Sequence, residues 1–401
     1  MKILFLSRWF PYPLDNGSKI RIYHLLRALN TRHEVTLLSF IDQPGRDMDV
    51  PEIRAICSEV HGVVWKEFNP ESREARLGFL SLKPRSIIDT FSEEMAQKIT
   101  GLLRSQKFDL VVASQLPMAA YYPNFLHMPA LFEELELGLS YEDSHQATDW
   151  KKGLRRSLTW FKLRHYLDRL ISAFQGVTVV SEAERALVLR LFPGLKNVTV
   201  VPNCVNFEDY QTVPVEPKPN QIIFTGSFRY HANYEAMRWF VGEVFPLVLQ
   251  KIPDAELVIT GDHAGLTLPS VTNIDLAGYV EDIHSMIASA AVSIAPLWSG
   301  GGTRLKILEA MAIGTPVVAT SKGAEGLEVV NGDHLSISDD PEGFSECIIQ
   351  LMKNSDLRRR IADCAKRLVK DKYSWERTGP EYVKLVENLA DSMTATERIA
   401  R

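Results

Sequence analysis

Cysteine is scarce in this chain, and its positions exclude two kinds of site. The 401 residues contain four cysteines, and no two of them form a C-x-x-C pair. This pattern supports neither a disulfide framework nor a structural zinc site as the basis of the fold. We therefore expect a reducing, cytoplasmic compartment.

Long apolar runs and an excess of positive charge are also missing. No stretch reaches the roughly 18 uninterrupted apolar residues of a transmembrane helix. The apolar run at the N-terminus, Ile3–Leu6, is too short for the core of a secretory signal. The net charge of −5 gives no overall basic field, so we expect no nucleic-acid partner. A hydrophobic share of 45% predicts a folded protein, and the length favours two domains.

Short aliphatic and β-branched runs alternate with longer segments of helical period along the whole chain. Because apolar residues in these runs are continuous, we expect strands that are buried on both faces and covered by helices. This alternation predicts an α/β fold with doubly wound parallel sheets. The predicted strands are Ile3–Leu6, Val35–Ser39, Val63–Trp65, Leu110–Ala113, Ala130–Phe132, Val177–Val180, Val198–Val201, Ile222–Thr225, Leu257–Thr260, Ile274–Ala277, Val292–Ala295, Val317–Thr320 and Leu335–Ile337. Predicted helices include Ile20–Leu29, Glu93–Arg104, Glu182–Leu191, Tyr234–Lys251, Arg304–Ala312 and Pro341–Met352.

A proline-rich stretch divides the chain into two predicted domains. Pro214, Pro217 and Pro219 fall within six positions, which favours an extended linker over residues 209–220. Residues 1–208 then form an N-terminal domain and residues 221–375 a C-terminal domain. Residues 376–401 are predicted to form a helical tail that can pack back on the N-terminal domain.

The segment Pro296–Thr320 carries the strongest functional signal. It predicts a strand end, a glycine turn, a helix and a turn into the next strand. Arg304 and Lys306 would lie in the first turn of that helix, where the helix dipole makes a cation unfavourable by about 0.3–1 kcal/mol. Two cations beside a glycine turn predict a bound anion, and a diphosphate fits that description. The spacing of a Walker loop is absent.

This segment resembles the C-terminal signature of GT-B glycosyltransferases, in particular the large retaining family 4. The matching run, from Glu309 to Val318, reads Glu-Ala-Met-Ala-x-Gly-x-Pro-Val-Val. The resemblance implies two Rossmann-like domains that face each other across a cleft. It also implies that Glu309 binds the ribose of a nucleotide-diphosphate sugar and that Arg304 and Lys306 lie near the phosphates.

Other segments extend the resemblance over nearly the whole chain. The similar segments are Asn16–Ser18 and Val180–Glu182 in the first domain, and Phe224–Arg229, Leu257–Asp262 and Gly278–Asp282 in the second. Together they imply a donor site in the second domain that is approached by a glycine loop of the first. The implied donor-binding residues are Gly17, Gly226, Arg229, Val280, Gly301, Gly302, Thr303, Arg304, Lys306 and Glu309.

Two departures from the family pattern concern the donor site. A glutamate that many members carry eight residues before the Glu309 position is replaced by Gly301. We therefore expect the backbone of Gly301, Gly302 and Thr303 to contact the sugar. The lysine that usually follows the Arg229 position is missing, and Lys306 is expected to take over its charge.

A third departure concerns the first domain, where the family commonly has a histidine near the transferred sugar. This chain has Glu-Glu-Leu-Glu at 133–136 instead. Glu134 is therefore our catalytic candidate in this domain, alongside Arg304 and Lys306 in the other. These glutamates can equally belong to a solvated loop.

Each candidate residue also has a purely structural interpretation. Gly17 suits any turn between a strand and a helix, Glu309 can pair with a neighbouring base, and Arg229 can pair with a surface carboxylate. We interpret His231, His263 and His284 as ordinary polar groups, and Asp47-Met48-Asp49 as solvated surface. Without another Asp/His cluster at ligand spacing, we expect no metal and no other cofactor.

The segment Trp150–Arg169 is unusually basic. It carries seven Lys/Arg residues against one acidic residue, and Leu154, Leu158, Phe161, Tyr166 and Leu167 can share one side of a helix. Such a helix can rest on an anionic membrane surface. The alternative is a helix whose apolar side packs on the sheet.

The sequence therefore predicts a cytoplasmic glycosyltransferase that moves a sugar from a nucleotide-diphosphate sugar to a glycan, a lipid-linked carrier or a small molecule. Two alternatives stay open. A GT-B-fold epimerase would act on the nucleotide sugar without an acceptor, and a catalytically inactive subunit would only bind it.

Overall fold

The computed structural model describes residues 1–145, 150–214, 216–300 and 304–399. The chain divides into two compact units, one formed by residues 1–202 and 379–401 and the other by residues 203–378. It changes unit after Pro202 and after Thr378. The first point lies six residues before the predicted border at 208 and the second three residues after that at 375, and residues 379–401 group with the first unit.

The predicted linker 209–220 contains regular structure. A helix, Phe207–Gln211, ends inside it, and a strand begins at Lys218. The prediction of an extended linker over residues 209–220 is therefore wrong at both ends, because Pro214 comes only after the helix. Pro219 lies near the beginning of the strand, where a missing N–H group is tolerated.

The seven strands predicted in the first half form one parallel sheet in the first unit, with the order β3-β2-β1-β4-β5-β6-β7. The strands are β1 (Lys2–Ser7), β2 (Glu34–Ile41), β3 (Glu59–Val64), β4 (Leu110–Ser114), β5 (Ala130–Glu133), β6 (Gly176–Val179) and β7 (Val198–Val200). The helices are α1 (Gly17–Asn30), α2 (Pro51–Arg54), α3 (Arg73–Leu77), α4 (Arg85–Asp89), α5 (Glu93–Ser105), α6 (Gln115–Ala119), α7 (Gly138–His145), α8 (Trp150–Ile171) and α9 (Glu182–Leu191), with short 3₁₀ turns at Gly78–Leu80 and Tyr122–Asn124.

The six strands predicted in the second half form a second parallel sheet with the order β10-β9-β8-β11-β12-β13. The strands are β8 (Lys218–Thr225), β9 (Glu256–Thr260), β10 (Ile274–Gly278), β11 (Ala290–Ala295), β12 (Val317–Ala319) and β13 (Ser336–Ile337). The helices are α10 (Phe207–Gln211), α11 (His231–Trp239), α12 (Phe245–Lys251), α13 (Ile283–Ser289), α14 (Leu305–Ile313), α15 (Pro341–Lys353) and α16 (Ser355–Lys372), with a π-helical turn at Phe240–Val244. A last helix, α17 (Trp375–Ile399), continues into residues of the first unit.

The central strands are buried along their length, as their continuous apolar sequences predict. Every residue of β4 and of β11 is buried, and β1 is buried from Ile3 onward. Separate apolar clusters cover the two faces of the second sheet. The prediction of two doubly wound α/β domains is therefore confirmed.

Helix α14 follows the predicted segment to within one residue, and its end is explained by the sequence. Gly314 adopts φ +102°, which is costly for a residue with a Cβ. The backbone N–H groups of Gly314 and Thr315 both donate to the carbonyl of Ala310, at 2.9 Å. Pro316 then prevents any continuation of the helix.

In both sheets the strand order reverses beside the first strand of the unit. The reversal lies between β1 and β4 in the first sheet, and between β8 and β11 in the second. Ligands of such sheets bind beyond the carboxyl ends of the strands at this point. The loops that follow these four strands are therefore where a site is expected in each unit.

Candidate functional site

In the second unit, the loops after β8 and β11 touch each other at a glycine. Gly300 has φ +98°, and a Cβ built there would lie 2.2 Å from the Tyr230 hydroxyl oxygen. The positive φ disfavours any residue with a Cβ, and a Cβ here would also displace the exposed Tyr230 side chain. The glycine that the sequence indicates therefore suits the close approach of the two loops.

Lys306 and Gly226, two of the predicted donor-binding residues, lie side by side. The Lys306 ammonium donates a hydrogen bond to Asn233 Oδ1 at 2.9 Å, and Asn233 Nδ2 donates to the carbonyl of Ser227 at 2.8 Å. A Cβ on Gly226 would lie 2.9 Å from Lys306 Nζ and 2.6 Å from Asn233 Nδ2. The chain thus brings the beginning of α14 directly against the turn after β8.

Lys306 is held in surroundings that disfavour its charge. Its ammonium lies 4.1 Å from the centre of the Phe224 ring, a cation–π contact that offsets only part of this effect. Burial, with the nearby Arg304 guanidinium adding to the effect, lowers the pKa of Lys306 to about 7, against an opposing contribution from Glu309. An anion bound here would favour the protonated ammonium, so the site gains charge when it is occupied.

Arg304 supports the loop that precedes α14. It is buried, and its guanidinium donates to the carbonyl of Gly300 at 2.6 Å. The first turn of α14 contains no acidic residue, and among the described residues no side chain caps its N-terminus. Its backbone N–H groups and the dipole of this nine-residue helix therefore add to the positive character of the site.

Arg229 has a partner on the protein surface. Its exposed guanidinium pairs with the carboxylate of Asp262, which also accepts the backbone N–H of Ala264 at 2.8 Å. These two hydrogen bonds, that of Ala264 first, lower the pKa of Asp262. The alternative interpretation of Arg229, a pair with a surface carboxylate, thus describes its contact in this structure.

Glu309 lies one turn along α14 from Lys306 and interacts with Tyr210 and His284. Its carboxyl hydrogen-bonds the buried Tyr210 hydroxyl, and the Tyr210 and His284 rings are 4.6 Å apart. Burial raises the pKa of Glu309, while His284, Lys306 and the Tyr210 hydroxyl oppose the rise. His284 is thus half-buried beside a predicted site residue rather than an ordinary surface group.

Of the other predicted donor-binding residues, Gly301, Gly302 and Thr303 lie outside the described residues. Val280 is half-buried in the loop after β10, an edge strand that is separated from β8 by β9.

In the first unit, the chain leaves two neighbouring strands through strained residues. Gln115 after β4 has φ +68° and Glu134 after β5 has φ +61°. A left-handed conformation at a non-glycine residue costs on the order of 1–3 kcal/mol, and such residues cluster at functional sites. Gln115 Nε2 donates to Glu134 Oε2 at 2.8 Å and to Ser18 Oγ at 3.3 Å.

A buried ion pair lies beside Gln115 and Glu134 and links α1 to the ends of β4 and β5. Arg21 on α1 pairs with Glu133 at 2.7 Å, and both side chains are inaccessible to solvent. Glu133 also accepts the Ser114 hydroxyl at 2.7 Å. The alternative that glutamates 133–136 form a solvated loop is therefore wrong for Glu133, which is buried in this ion pair.

Glu134 is left as the second carboxyl beside one guanidinium. Its Oε1 lies 3.9 Å from Arg21 Nε. Burial raises the pKa of Glu134 to about 7; the Glu133 carboxylate adds to the rise, whereas Arg21 and the Gln115 hydrogen bond oppose it. Near neutral pH this carboxyl can therefore offer a proton to a ligand as well as an acceptor.

Gly17 begins α1 beside this carboxyl. Asn16 caps the helix by accepting the Lys19 N–H at 3.0 Å. The loop expected to approach a diphosphate is thus a capped helix N-terminus, and Ser18 links it to Gln115.

Sequence reasoning missed Gln115, Asn233 and Tyr210. Gln115 directly follows a predicted strand at the point where the strand order reverses, so its position was a usable signal. Asn233 and Tyr210 are single polar residues on helices, and nothing in their sequence surroundings distinguishes them.

Across the described ranges, no group of three or more His, Cys, Asp or Glu residues is arranged to hold a metal ion. In the same part of the chain, no helix is both long and apolar enough to span a bilayer.

Two family models match consecutive parts of the chain. The model described as "Glycosyl transferase 4-like domain" matches residues 16–204, and "Glycosyl transferases group 1" matches residues 219–354. Together with the two doubly wound sheets they define a GT-B glycosyltransferase. The chain belongs to the group 1, family 4-like glycosyltransferases, and the resemblance seen in its sequence is confirmed.

Relatives and solved structures agree with this classification. The chain is 21% identical to an uncharacterized 44.6 kDa protein of the Klebsiella pneumoniae cps region, over 93% of this chain and 96% of that protein. It is 28% identical to the phosphatidyl-myo-inositol mannosyltransferase of Mycobacterium leprae, over 61% of this chain and 66% of the relative. The fold is similar to that of a sucrose-phosphate synthase from Thermosynechococcus elongatus, with a TM-score of 0.70 at 16% identity over 98% of this chain and 100% of the other.

Proposed function

We propose that this glycosyltransferase moves a sugar from a nucleotide-diphosphate sugar to a glycan or lipid-linked acceptor, with retention at the anomeric carbon. The observation that carries the proposal is the beginning of α14. Here Lys306 lies beside Gly226 in the turn after β8, and Arg304 binds the carbonyl of Gly300 in the turn after β11. Support comes from Anabaena HepE, a structural neighbour solved with UDP and glucose, at 14% identity over 98% of this chain and 99% of that chain with a TM-score of 0.62.

The diphosphate is the group that this second-unit site suits best. Cleavage of the sugar–phosphate bond builds negative charge on the departing diphosphate. Lys306, desolvated and without a carboxylate partner in direct contact among the described residues, can respond to that charge more strongly than a solvated lysine. Arg304 acts mainly by holding the Gly300 carbonyl, so it positions the loop and adds a nearby charge.

Other residues of the second unit are proposed to bind the rest of the nucleotide. Glu309 accepts the ribose hydroxyls, with Tyr210 fixing its carboxyl. Gly226 leaves room for the phosphates beside Lys306, and Arg229 adds charge from the rim of the site. Val280 is proposed to contact the base.

In the first unit, Glu134 and Gln115 are proposed to bind hydroxyl groups of the transferred sugar. A protonated carboxyl and a carboxamide offer both donors and acceptors. Gly17, at the N-terminus of α1, is proposed to face the phosphates.

The proposed reaction uses no metal ion, because cations and helix N–H groups supply the positive charge. Donor turnover should therefore survive treatment with a chelator. Strict dependence on a divalent cation would contradict this account.

The test of the function is a panel of radiolabelled nucleotide sugars, scored both for release of nucleotide diphosphate and for transfer of the label to lipid or glycan. Glu309→Ala should weaken nucleotide binding by about 1.5–3 kcal/mol, the range for a hydrogen bond to a charged group. Unchanged affinity in a folded Glu309→Ala variant would remove the ribose role. Label that changes configuration but stays on the nucleotide would indicate an epimerase, and binding without turnover an inactive subunit.

We further propose that the enzyme works at the cytoplasmic face of the cell membrane and contacts anionic lipid through Trp150–Arg169. In α8, Arg155, Arg156, Arg164 and Arg169 are exposed. Charge at such a surface contributes about 1 kcal/mol per basic residue. Replacing Arg155 and Arg156 by Gln should therefore weaken cosedimentation with anionic vesicles at low salt while donor turnover is retained.

A further inference from the structure

The apolar residues of α8 divide between the interior and the surface. Leu167 is fully buried in the core of the first unit, whereas Leu154 is 67% and Phe161 58% exposed. With about 100° between successive residues, Leu154, Leu158 and Phe161 lie within about 60° of each other on the helix. The predicted single apolar side is therefore wrong, because Leu167 faces the opposite direction. The exposed residues form a stripe of their own.

A second exposed apolar element lies at residues 77–82. Its turn presents Leu77, Phe79, Leu80 and Leu82, and Leu80 is 92% exposed. A leucine this exposed contributes almost no hydrophobic stabilisation to the fold, and a cluster of such residues favours aggregation or marks a binding surface. The turn sits between α3 and α4, in the first unit.

The 77–82 turn is attached to α8 by buried hydrogen bonds. The ammonium of Lys162, which is itself buried, donates to the carbonyls of Phe79 at 2.7 Å and Gly78 at 3.3 Å. Lys162 directly follows Phe161 in the helix. One of the basic residues of α8 thus serves to hold the turn beside the helix, rather than to present charge to solvent.

Arginine also fixes the base of the turn. Arg85 donates to the carbonyls of Ala75 at 2.6 Å and Pro70 at 2.7 Å, and its guanidinium lies 3.8 Å from the centre of the Phe79 ring. Leu80 therefore lies exposed on a turn whose conformation is fixed by hydrogen bonds from Arg85 and Lys162. A fixed apolar tip loses little conformational entropy when it is buried.

Basic residues surround both apolar elements. Arg73 and Lys83 flank the turn, Arg155 and Arg156 belong to α8, and all four are exposed. Acidic residues near the turn are Glu71, which is paired with Arg76 at 2.8 Å, Glu74, and the buried Asp89, which is paired with Lys66 at 2.9 Å. Apolar side chains within a basic rim match a surface with negative headgroups over hydrocarbon.

We propose that the 77–82 turn and the exposed stripe of α8 form one membrane-docking surface, in which Phe79 and Leu80 enter the acyl region of an anionic bilayer. The inference rests on the proposed membrane contact of α8 and extends it by naming the element that inserts. Lys162 couples the two elements, so that the helix binds headgroups while the turn penetrates below them.

The experiment measures partition of the full-length protein onto vesicles of phosphatidylglycerol and phosphatidylcholine in equal parts, at low and at high salt. The double variant Phe79→Ser, Leu80→Ser should partition at least about tenfold more weakly than the wild type, and should lose the binding that persists at high salt. Leu266→Ser, an exposed leucine of the second unit, is the matched control and should bind as the wild type does. Both variants should remain folded and keep donor turnover.

Depth is measured separately with Leu80→Trp and brominated acyl chains. Quenching of its fluorescence beyond that of the wild type is expected. Unweakened binding of the double serine variant, or absence of the additional quenching, would overturn the insertion even if Arg155→Gln, Arg156→Gln reduces binding and so supports the helix alone. A wild type that ignores the vesicles at low salt would overturn both proposals.

Discussion

The two units share one topology but place opposite chemistry at the point where the strand order reverses. In the second unit this point is cationic, with Lys306, Arg304 and the N-terminus of α14 around a glycine turn. In the first unit it presents Glu134 and Gln115 on left-handed backbone above a buried ion pair. One site suits an anion and the other suits hydroxyl groups.

The difference also shows two ways of making a reactive group. Burial lowers the pKa of Lys306, so that it loses its proton more easily. Burial raises the pKa of Glu134, so that it keeps its proton to a higher pH. In both, the pKa moves to about 7 from opposite sides. Neutral forms are therefore accessible to both groups near physiological pH.

The largest effect is expected from Lys306→Met, which keeps the length of the side chain and removes its charge. We expect kcat to fall roughly 100- to 1000-fold, as for the loss of one donor to a developing negative charge. Steady-state kinetics of diphosphate release measure this change, and nucleotide affinity should fall less than kcat does.

Lys366→Met is the matched control, since Lys366 lies near Gly314 at the opposite end of α14. It should leave kcat within about twofold of the wild type, because the cationic site is at the other end of a helix. Equal losses in the two variants would mean that the helix, and not the ammonium, is what matters.

Glu134→Gln tests the raised pKa of the first-unit carboxyl through its effect on the free energy of unfolding. A carboxyl with a pKa of 4.5 unfolded and about 7 folded stabilises the fold only while it is protonated, and this contribution is lost as pH rises through 7. Above that pH the glutamine variant should be more stable than the wild type, by up to about 3 kcal/mol. Below pH 5 the two should converge, and denaturant titrations at pH 5 and 8.5 measure both.

Equal stability of the two proteins at pH 8.5 would show that Glu134 is ionised at little cost. Gln115 should keep its hydrogen bond in either case, because the carboxamide oxygen of a glutamine can accept it.

The pH dependence of nucleotide binding tests Lys306 alone. Its pKa of about 7 means that an increasing share of the free protein is neutral at this position above pH 7. A diphosphate binds more tightly to the ammonium than to the neutral amine, so the affinity should fall above pH 7, by at most about tenfold per pH unit. Lys306→Met should remove this dependence, as titration calorimetry can measure. The same slope in that variant would place the titrating group elsewhere.

The fold was predictable because buried parallel strands leave continuous apolar runs. Each of the thirteen predicted runs overlaps a strand, from Ile3–Leu6 to Leu335–Ile337. The linker was not predictable to the same accuracy, since Pro214 excludes regular structure only in its own neighbourhood and the helix Phe207–Gln211 precedes it.

The second-unit site left a sequence signal because its parts are adjacent in the chain. Arg304, Lys306 and Glu309 lie within six consecutive residues at α14. The site of the first unit instead combines three separate segments, which contribute Ser18, Gln115 and Glu134. Their proximity depends on strand order and on two left-handed residues that no local pattern announces. The paired carboxyls at 133 and 134 were visible, but their different environments were not.

The smallest expected effect concerns Arg229, which contacts Asp262 on the surface and none of the other predicted donor-binding residues in the contacts described above. Its guanidinium is paired with Asp262 on the exposed rim, where an ion pair is worth little. Asp262→Asn removes the competing charge and keeps an oxygen for the Ala264 N–H. If Arg229 contributes to phosphate binding, nucleotide affinity should rise by a factor of about 2 to 5 at low salt, and added salt should remove the gain. Asp333→Asn is the matched control, because Asp333 forms a comparably exposed pair with Arg360 in the same unit. An increase confined to Asp262→Asn would mean that Arg229 exchanges a protein carboxylate for the donor, whereas equal affinities in the two variants would restrict the cationic site to Lys306, Arg304 and the helix N-terminus.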